Sequence, residues 1–451
     1  MSVTTVPTSN VFAETLSLLK FYPCTFLTRD EVHTYQRQLD DSIFSEDSND
    51  FEQDMEIFRM LETTAVSLST TDNGSFVAAA IEGSVENNGP ITLVIAKNRN
   101  SNIRDQEIAD EFLRMLNVDF QEALKFLVMH GRDNLNERIR TLRKSYFTEL
   151  SSSVASHSFK ESAGEEFRSR YTPIVLHDRK WDNESARKIL ENLLEFVRSV
   201  QELDNDIEAS HARFVNLVFY TLMLKSSRYM AFLIQTSKDM DVDWFRELKR
   251  FWNALDQIAY FHRMEKLVRF VHRRTVTIRW ANNISNTLMK SADPVACRPP
   301  SRLARQLFMD FIEPSPRYGR PPLPLDVQEE RFQRLERLVE RRAPSGYWDS
   351  PAQVQLSLHP EIRITLDPAM SLAPHHLIGC STSSCLCCTL WLDAYRHLKP
   401  PVSRWWLSRF GQEIDVGWAL PGEFTGIAAI LPLDQIVLED IQKELRFRIY
   451  W

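Results

Sequence analysis

The stretch from Ser357 to Leu390, SLHPEIRITLDPAMSLAPHHLIGCSTSSCLCCTL, constrains the fold more than any other part of the chain. It holds the triplet His359-Pro360-Glu361 and, 26 residues beyond that histidine, Cys385 and Cys388 spaced C-x-x-C. Proline fits the first position of a helix, where its missing N–H costs nothing. A short helix therefore starts after His359, with Glu361 in its first turn. Leu377-Ile378-Gly379-Cys380 reads as a short buried strand, and Ser384 can cap a helix beginning at Cys385. In such a helix C-x-x-C sets both sulfurs on one face, near the positive helix end that favours thiolate over thiol. Helix, turn, strand and loop fit between histidine and thiols, so the two can meet.

The pattern resembles the H-x-E followed by P-C-x-x-C of the zinc deaminases that act on bases and nucleosides. The run LIGCSTSSCLCCTLWLDAY, with GWALPG after it, resembles a fungal family of predicted nucleic acid or nucleotide deaminases in the cytidine deaminase-like superfamily. The resemblance covers about residues 353 to 421. It implies a Zn²⁺ cofactor held by His359, Cys385 and Cys388, with Glu361 as the proton carrier rather than a ligand. Two thiolates and a neutral imidazole would bring Zn²⁺ to formal neutrality. The sequence departs from the signature at Ser384, which stands where the family has proline, and serine is itself a good cap. Cys380 and Cys387 leave open which thiols bind, and either could close a fourth position and make the site structural. The competing expectation is therefore a helical interaction or scaffold protein with an inactive zinc site. His375 and His376, just before the predicted strand, read as loop residues rather than ligands.

A chain of 451 residues calls for two or three domains, and 43% hydrophobic residues allow a sizeable core. The net charge of −7 argues against a protein coated in basic surface for long duplex DNA. Six cysteines, four of them between Cys380 and Cys388, are not a disulfide scaffold. They read as metal-binding in a reducing compartment, hence an intracellular protein, cytoplasmic or nuclear. The longest largely apolar stretch, Phe214 to Leu224, is too short for a membrane span, and the first residues lack a signal-peptide pattern.

Residues 1–50 read as a short apolar helix near Phe12 to Tyr22 followed by an acidic, mobile segment. Helical periodicity covers 51–62. Phe76–Ile81 and Ile91–Ala96 flank a Gly/Asn/Pro loop and predict a β-hairpin. The deaminase fold, as the resemblance implies, opens with a helix and a hairpin before the H-x-E helix. Residues 51–99 are thus either the first part of that sheet or a small α/β domain of their own. Residues 100–345 read as a helical region or insertion: helices within 103–129, 134–150, 183–203, 211–235, 242–272 and 275–291, a Ser-rich loop at 151–163, and a Pro-rich connector at 294–324. Residues 346–451 then form the zinc core. The fold class expected is α-rich α/β, a cytidine deaminase-like three-layer α/β/α core beside a large helical region.

From His262 to Arg320 twelve bases face four acids, a local surplus of eight positive charges, with Phe261, Phe270, Trp280, Phe308 and Tyr318 interleaved. Such a stretch could track a nucleic acid backbone and stack bases. A solvated helix face with its aromatics in the core is the simpler reading. The partner the resemblance implies is a nucleotide or single-stranded nucleic acid, with no membrane.

Overall fold

A computed structural model describes residues 9–20, 48–71, 75–83, 89–99, 101–158, 186–236, 242–281, 294–310, 324–342, 346–372, 376–382, 384–398, 405–408, 414–425 and 427–450. The chain divides into two compact units. One comprises residues 1–65, 75–106 and 277–451; the other comprises 66–74 and 107–276.

The first unit is built on a mixed sheet of five strands: β1 (Val77–Glu82), β2 (Ile91–Lys97), β3 (Val276–Trp280), β6 (Leu377–Cys380) and β7 (Trp406–Leu407). Their order across the sheet is β3-β2-β1-β6-β7. Strand β1 runs antiparallel to β2, Ala79 opposite Ile95, and antiparallel to β6, Ala79 opposite Gly379; β6 runs parallel to β7. The hairpin and the segment that leads into the cysteines therefore share one sheet. A second sheet pairs β4 (Val295–Cys297) with β5 (Ala352–Val354).

The alanine-rich β1 explains how helices approach so closely on both faces. On one face Ala78, Ala80, Val94, Ala96 and Ile378 join a core with Leu358, Ile362 and Ile364, of and just before α13 (Pro360–Thr365), and with Trp391 and Leu392 of α14 (Leu386–Leu398). On the alternate face lies Gly379, where a Cβ would stand 2.3 Å from the Leu61 carbonyl carbon and the Glu62 nitrogen. Only glycine lets helix α2 (Ser48–Thr70) sit this close to a strand. Around this frame pack α1 (Ser9–Leu19), α11 (Pro300–Asp310), α12 (Leu325–Arg342), α15 (Pro421–Thr425) and α16 (Leu431–Tyr450). Helix α3 (Ile103–Leu116) begins in this unit and continues into the other.

The second unit is helical: α4 (Phe120–Ser145), α5 (Thr148–Ser156), α6 (Ala186–Ser199), α7 (Ile207–Lys225), α8 (Arg228–Thr236), α9 (Val242–Ala259) and α10 (Met264–His272). Leu127, Leu135 and Ile139 of α4, Phe214 and Leu217 of α7, and Phe251 and Leu255 of α9 are buried at helical spacing. The Asn136 side chain bonds the Leu203 backbone in both directions, Nδ2 to O at 3.0 Å and N to Oδ1 at 2.7 Å. Among the described residues no single helix is long and apolar enough to cross a membrane.

The elements differ from the sequence expectations at several points. The helical unit ends near residue 276, and residues 277–345 belong with the sheet instead. Residues 275–291 contain strand β3 rather than a helix, because Val276-Thr277-Ile278 is β-branched at every position; 282–291 lie outside the described residues. The Ser-rich stretch at 151–163 is helical as far as Ser156, since Leu150 and Val154 meet in the core four residues apart. The Pro-rich connector holds β4 and α11, the latter starting at Pro300, where proline suits a helix start. The acidic stretch 41–47 and Asn183 lie outside the described residues.

Candidate metal centre

Three segments converge on one buried point. His359 is the N-cap of α13, extended at φ −66° and ψ 150°, with Pro360 at the first helical position. Proline disfavours the helical region for the residue before it, so the sequence itself fixes where the helix begins. Arg363 N–H closes the first turn on the His359 carbonyl at 3.0 Å. The segment before His359 lies parallel to Asp415–Ala419: Ser357 N–H donates to Gly417 O at 2.7 Å and Ala419 N–H to Ser357 O at 3.0 Å. Gly417 permits this approach, because a Cβ there would meet the Gln355 carbonyl oxygen at 2.8 Å.

The third segment is the start of α14, where the capping differs from expectation. Cys385, not Ser384, takes the cap: its carbonyl accepts from Thr389 N–H at 3.2 Å and its sulfur from Cys388 N–H at 3.4 Å. The hydroxyl of Ser384 donates instead to Glu361 Oε1 at 2.8 Å.

Nδ1 of His359 lies 3.4 Å from Sγ of Cys385 and 3.4 Å from Sγ of Cys388. All three ligand atoms lie within 4.8 Å of one another, and all three residues are buried. A tetrahedral zinc shell with bonds of about 2.3 Å to sulfur and about 2.0 Å to nitrogen spaces its ligand atoms roughly 3.5–3.8 Å apart. The three residues therefore fit a metal ion of that size. Neither Cys380 nor Cys387 joins the set: the Cys380 thiol lies 3.5 Å from Ser384 Oγ and 3.9 Å from Ile378 O, and Cys387 is buried in the core. His376 packs edge-on against Trp405, ring centres 4.7 Å apart, away from the trio; His375 lies outside the described residues.

Glu361 is buried beside the trio but outside it; its Oε2 accepts from the Cys388 thiol at 3.8 Å. Burial, chiefly, raises its pKa, partly offset by the charge of His359. Burial opposes protonation of His359, yet the Cys385 thiolate and the Asp415 carboxylate outweigh it and hold the imidazole well above its usual pKa. Burial likewise opposes ionisation of Cys385, but donation from the Cys387 and Cys388 thiols and the charge of His359 bring its pKa well below the usual thiol value. Burial and the Cys385 charge push Cys388 well above it. Without metal, these shifts favour moving a proton from Cys385 to His359, while Cys388 holds its own.

Two partners were not foreseen from the sequence. Asp415 Oδ2 lies 2.9 Å from His359 Nε2, and its Oδ1 accepts from Gly417 N–H at 2.8 Å. The indole N–H of the fully buried Trp418 donates to Cys388 Sγ at 3.2 Å, and its ring packs on Phe12 of α1 with centres 5.5 Å apart. The sequence signal for both is one short string, Asp415-Val416-Gly417-Trp418, in which aspartate two residues before glycine marks an Asx turn. The partly exposed Phe76 stands 6.4 Å from the His359 ring, and its carbonyl accepts from Asn98 N–H at 3.2 Å. Asn98 Oδ1 is buried with no protein donor among the described residues.

The basic stretch 262–320 is divided between the two units. Arg279 pairs with Glu82 and Asp367, each at 2.9 Å, and Arg298 pairs with Glu14 at 2.7 Å. Phe261 is fully buried, and Lys97 stands over the ring of Trp280. Lys290, Arg317, Tyr318 and Arg320 lie outside the described residues.

Comparison with protein-family models, with curated proteins and with solved structures finds no match to this chain.

Proposed function

We propose that the chain is a zinc-dependent hydrolytic deaminase acting on cytosine or adenine in a nucleotide or in single-stranded nucleic acid. The observation that carries this reading is the triangle of His359 Nδ1, Cys385 Sγ and Cys388 Sγ with a buried carboxylate, Glu361, beside it but not part of it. Three protein ligands and an adjacent non-ligand glutamate are what hydrolytic zinc chemistry requires; a purely structural site closes its fourth position with a further thiolate or imidazole. The chain order supports a cytidine deaminase-like core as well: helix α2, the β1–β2 hairpin, then the His-Pro-Glu helix, with helices on both faces of the sheet.

His359, Cys385 and Cys388 would hold the ion. When bound, zinc supplies the Lewis acidity that makes a water nucleophilic near neutral pH. Glu361 would take one proton of that water as oxygen adds to the amidine carbon, C4 of cytosine or C6 of adenine, and pass it to the ring nitrogen, then carry the proton of the added hydroxyl to the departing amine, so that ammonia leaves. Ser384 fixes the carboxylate through Oε1, leaving Oε2 to face the cluster. Asp415 keeps the proton of His359 on Nε2, so that Nδ1 presents its lone pair. Phe76, whose ring centre lies 6.4 Å from that of His359, would offer an aromatic face to a planar base.

The depth of burial favours a second reading, a structural zinc site in a helical interaction protein, since His359 is 4% exposed, Glu361 5%, Cys385 6% and Cys388 0%. Paired mutants decide between them. Purified wild type should contain about one zinc per chain. Glu361→Gln should retain it while ammonia release, measured across a panel of nucleosides and oligonucleotides, falls by about 10²–10⁴ or more. His359→Ala should lose zinc and activity together. Loss of zinc in Glu361→Gln would make Glu361 a ligand, and ammonia release from no substrate in the panel would leave the structural reading standing.

A further inference from the structure

A second candidate site, none of whose lining residues builds the metal centre, is a cleft of about 690 Å³ between α11, α12 and the turn Tyr347–Asp349. Its volume falls within the range of small-molecule sites. Six charged side chains line it, Arg302 and Arg305 from α11, Glu329, Glu336 and Arg337 from α12, and Asp349 from the turn. Three are positive and three negative, yet among the described residues none of the six makes an ion pair. Their bonds stay local: Arg337 Nε donates to Gln333 O on its own helix, and Glu329 accepts from Gln333 Nε2. Opposite charges that line one cleft without meeting leave their hydrogen-bonding capacity to whatever enters between them.

The two walls differ in sign. The charges on the α11 wall are both basic, Arg302 in the first turn and Arg305 in the second turn of an 11-residue helix. The Pro299 carbonyl accepts from the N–H groups of Arg302 and Leu303, at 3.0 and 3.3 Å. The Ser301 N–H, one position earlier in the first turn, has no helical acceptor. The Ser301 hydroxyl lines the cleft, belongs to a residue only 9% exposed, and has no protein hydrogen-bond partner among the described residues. An orphan N–H, an unsatisfied hydroxyl and two guanidiniums one helical turn apart make an anion cradle at a helix start. The facing wall contributes three carboxylates and Arg337, and the carboxylates accept from hydroxyl or amine donors. The floor is aromatic: Phe332 and Trp348 have ring centres 5.6 Å apart, and Arg305 lies 5.0 Å over Phe332.

The geometry points to a binding site for a small organic phosphate whose other end bears hydroxyl or amine donors, a nucleoside monophosphate being the class that fits both walls. The phosphate sits on Ser301, Arg302 and Arg305, and the donors face Glu329, Glu336 and Asp349. Arg302 and Arg305 are exposed, so replacing both leaves the core intact.

The test is calorimetric titration of the full chain with adenosine 5′-monophosphate, cytidine 5′-monophosphate, uncharged adenosine, inorganic phosphate and a 5′-phosphorylated oligonucleotide. Wild type, the Arg302→Ala/Arg305→Ala variant and chelator-treated wild type are compared. The expected result is monophosphate binding that adenosine does not reproduce, that inorganic phosphate competes weakly, that chelation leaves unchanged, and that the double substitution weakens at least about tenfold. A Trp348→Phe variant should retain binding and lose the ligand-dependent change in tryptophan emission. Monophosphate binding that survives the double substitution but is lost on chelation belongs to the metal centre and overturns the assignment. So does failure of both monophosphates to bind at millimolar concentration, or tighter binding of the oligonucleotide than of either monophosphate.

Discussion

Asp415→Asn is the sharpest probe of the metal centre, because the wild-type carboxylate uses both oxygens. Oδ1 accepts from Gly417 N–H and Oδ2 from the His359 ring. Asparagine has one oxygen and one NH₂. If its oxygen stays on Gly417, the NH₂ faces Nε2, which must then accept, and the imidazole proton moves to Nδ1, the atom that faces both sulfurs. If its oxygen faces Nε2, the NH₂ points at the Gly417 N–H, two donors meet, and the turn that lays Asp415–Ala419 along His359 is broken. Either outcome weakens the ligand. Removing the outer hydrogen-bond partner of a metal-bound histidine typically costs about 10- to 100-fold in metal affinity. The Asp415 side chain is 36% exposed, so water replaces part of what is lost, and the lower end applies, about 10- to 30-fold. The assay is competition for zinc against a chromophoric chelator at fixed pH, with Asp415→Ala alongside. Alanine removes the acceptor without imposing a wrong tautomer, so it should cost no more than asparagine. Zinc affinity within twofold of wild type for Asp415→Asn would refute the tautomer argument, and an alanine variant weaker than the asparagine one would place the effect in the loop rather than in the ring proton.

Two further expectations follow from the same geometry. Because the pKa values of His359 and Cys388 are both shifted upward in the metal-free protein, both hold their protons to higher pH and must release them to bind; lowering pH favours the metal-free state and raising it favours the complex. Affinity should rise about tenfold per pH unit for each proton displaced, and a flat profile between pH 6 and 8 would show that the sites are already deprotonated. A fragment beginning near Asp326 lacks β1, β2 and β3, leaving β6 with an open, apolar edge; it should aggregate on expression, and a monomeric fragment that melts cooperatively would show that the C-terminal region folds without the hairpin.

What could be read from the sequence was what local chemistry fixes. His359 and Pro360 define a helix start by themselves, and the hairpin announces itself through two apolar runs and a Gly/Asn/Pro loop, so both fell within a residue or two of the observed bounds. Helical periodicity failed where another interaction could decide. Thr275–Ser291 reads as a helix until Thr277 Oγ1 meets Thr92 Oγ1 at 2.9 Å, 185 residues away in the chain, and Ala281 N–H bonds Ile95 O at 2.7 Å. Ser384 reads as a cap because serine caps well, but the helix starts one residue later, so Cys385 becomes the cap, its sulfur accepting from Cys388 N–H, and the Ser384 hydroxyl goes to Glu361. Neither competitor is visible in a window of local sequence.

The same distinction separates the centre's ligands from its supports. His359, Cys385 and Cys388 are recognisable because a metal demands particular atoms at one point, and few residue types provide them. Asp415 and Trp418 are ordinary residues in a turn, and nothing in their identity says that one holds a histidine and the other a thiolate. What brings them there is Gly417: a Cβ at that position would stand 2.8 Å from the Gln355 carbonyl oxygen, so any other residue would push the two segments apart. The backbone ladder then runs Ser357 to Gly417 and Ala419 to Ser357, so a two-residue register places the carboxylate under the imidazole and the indole under Cys388 in one step. A shift of that bridge by one residue would turn the indole of Trp418 away from Cys388 and carry the Asp415 turn along the chain, away from His359. The register of Ser357 on Trp418 is therefore as much a determinant of the centre as the ligands themselves.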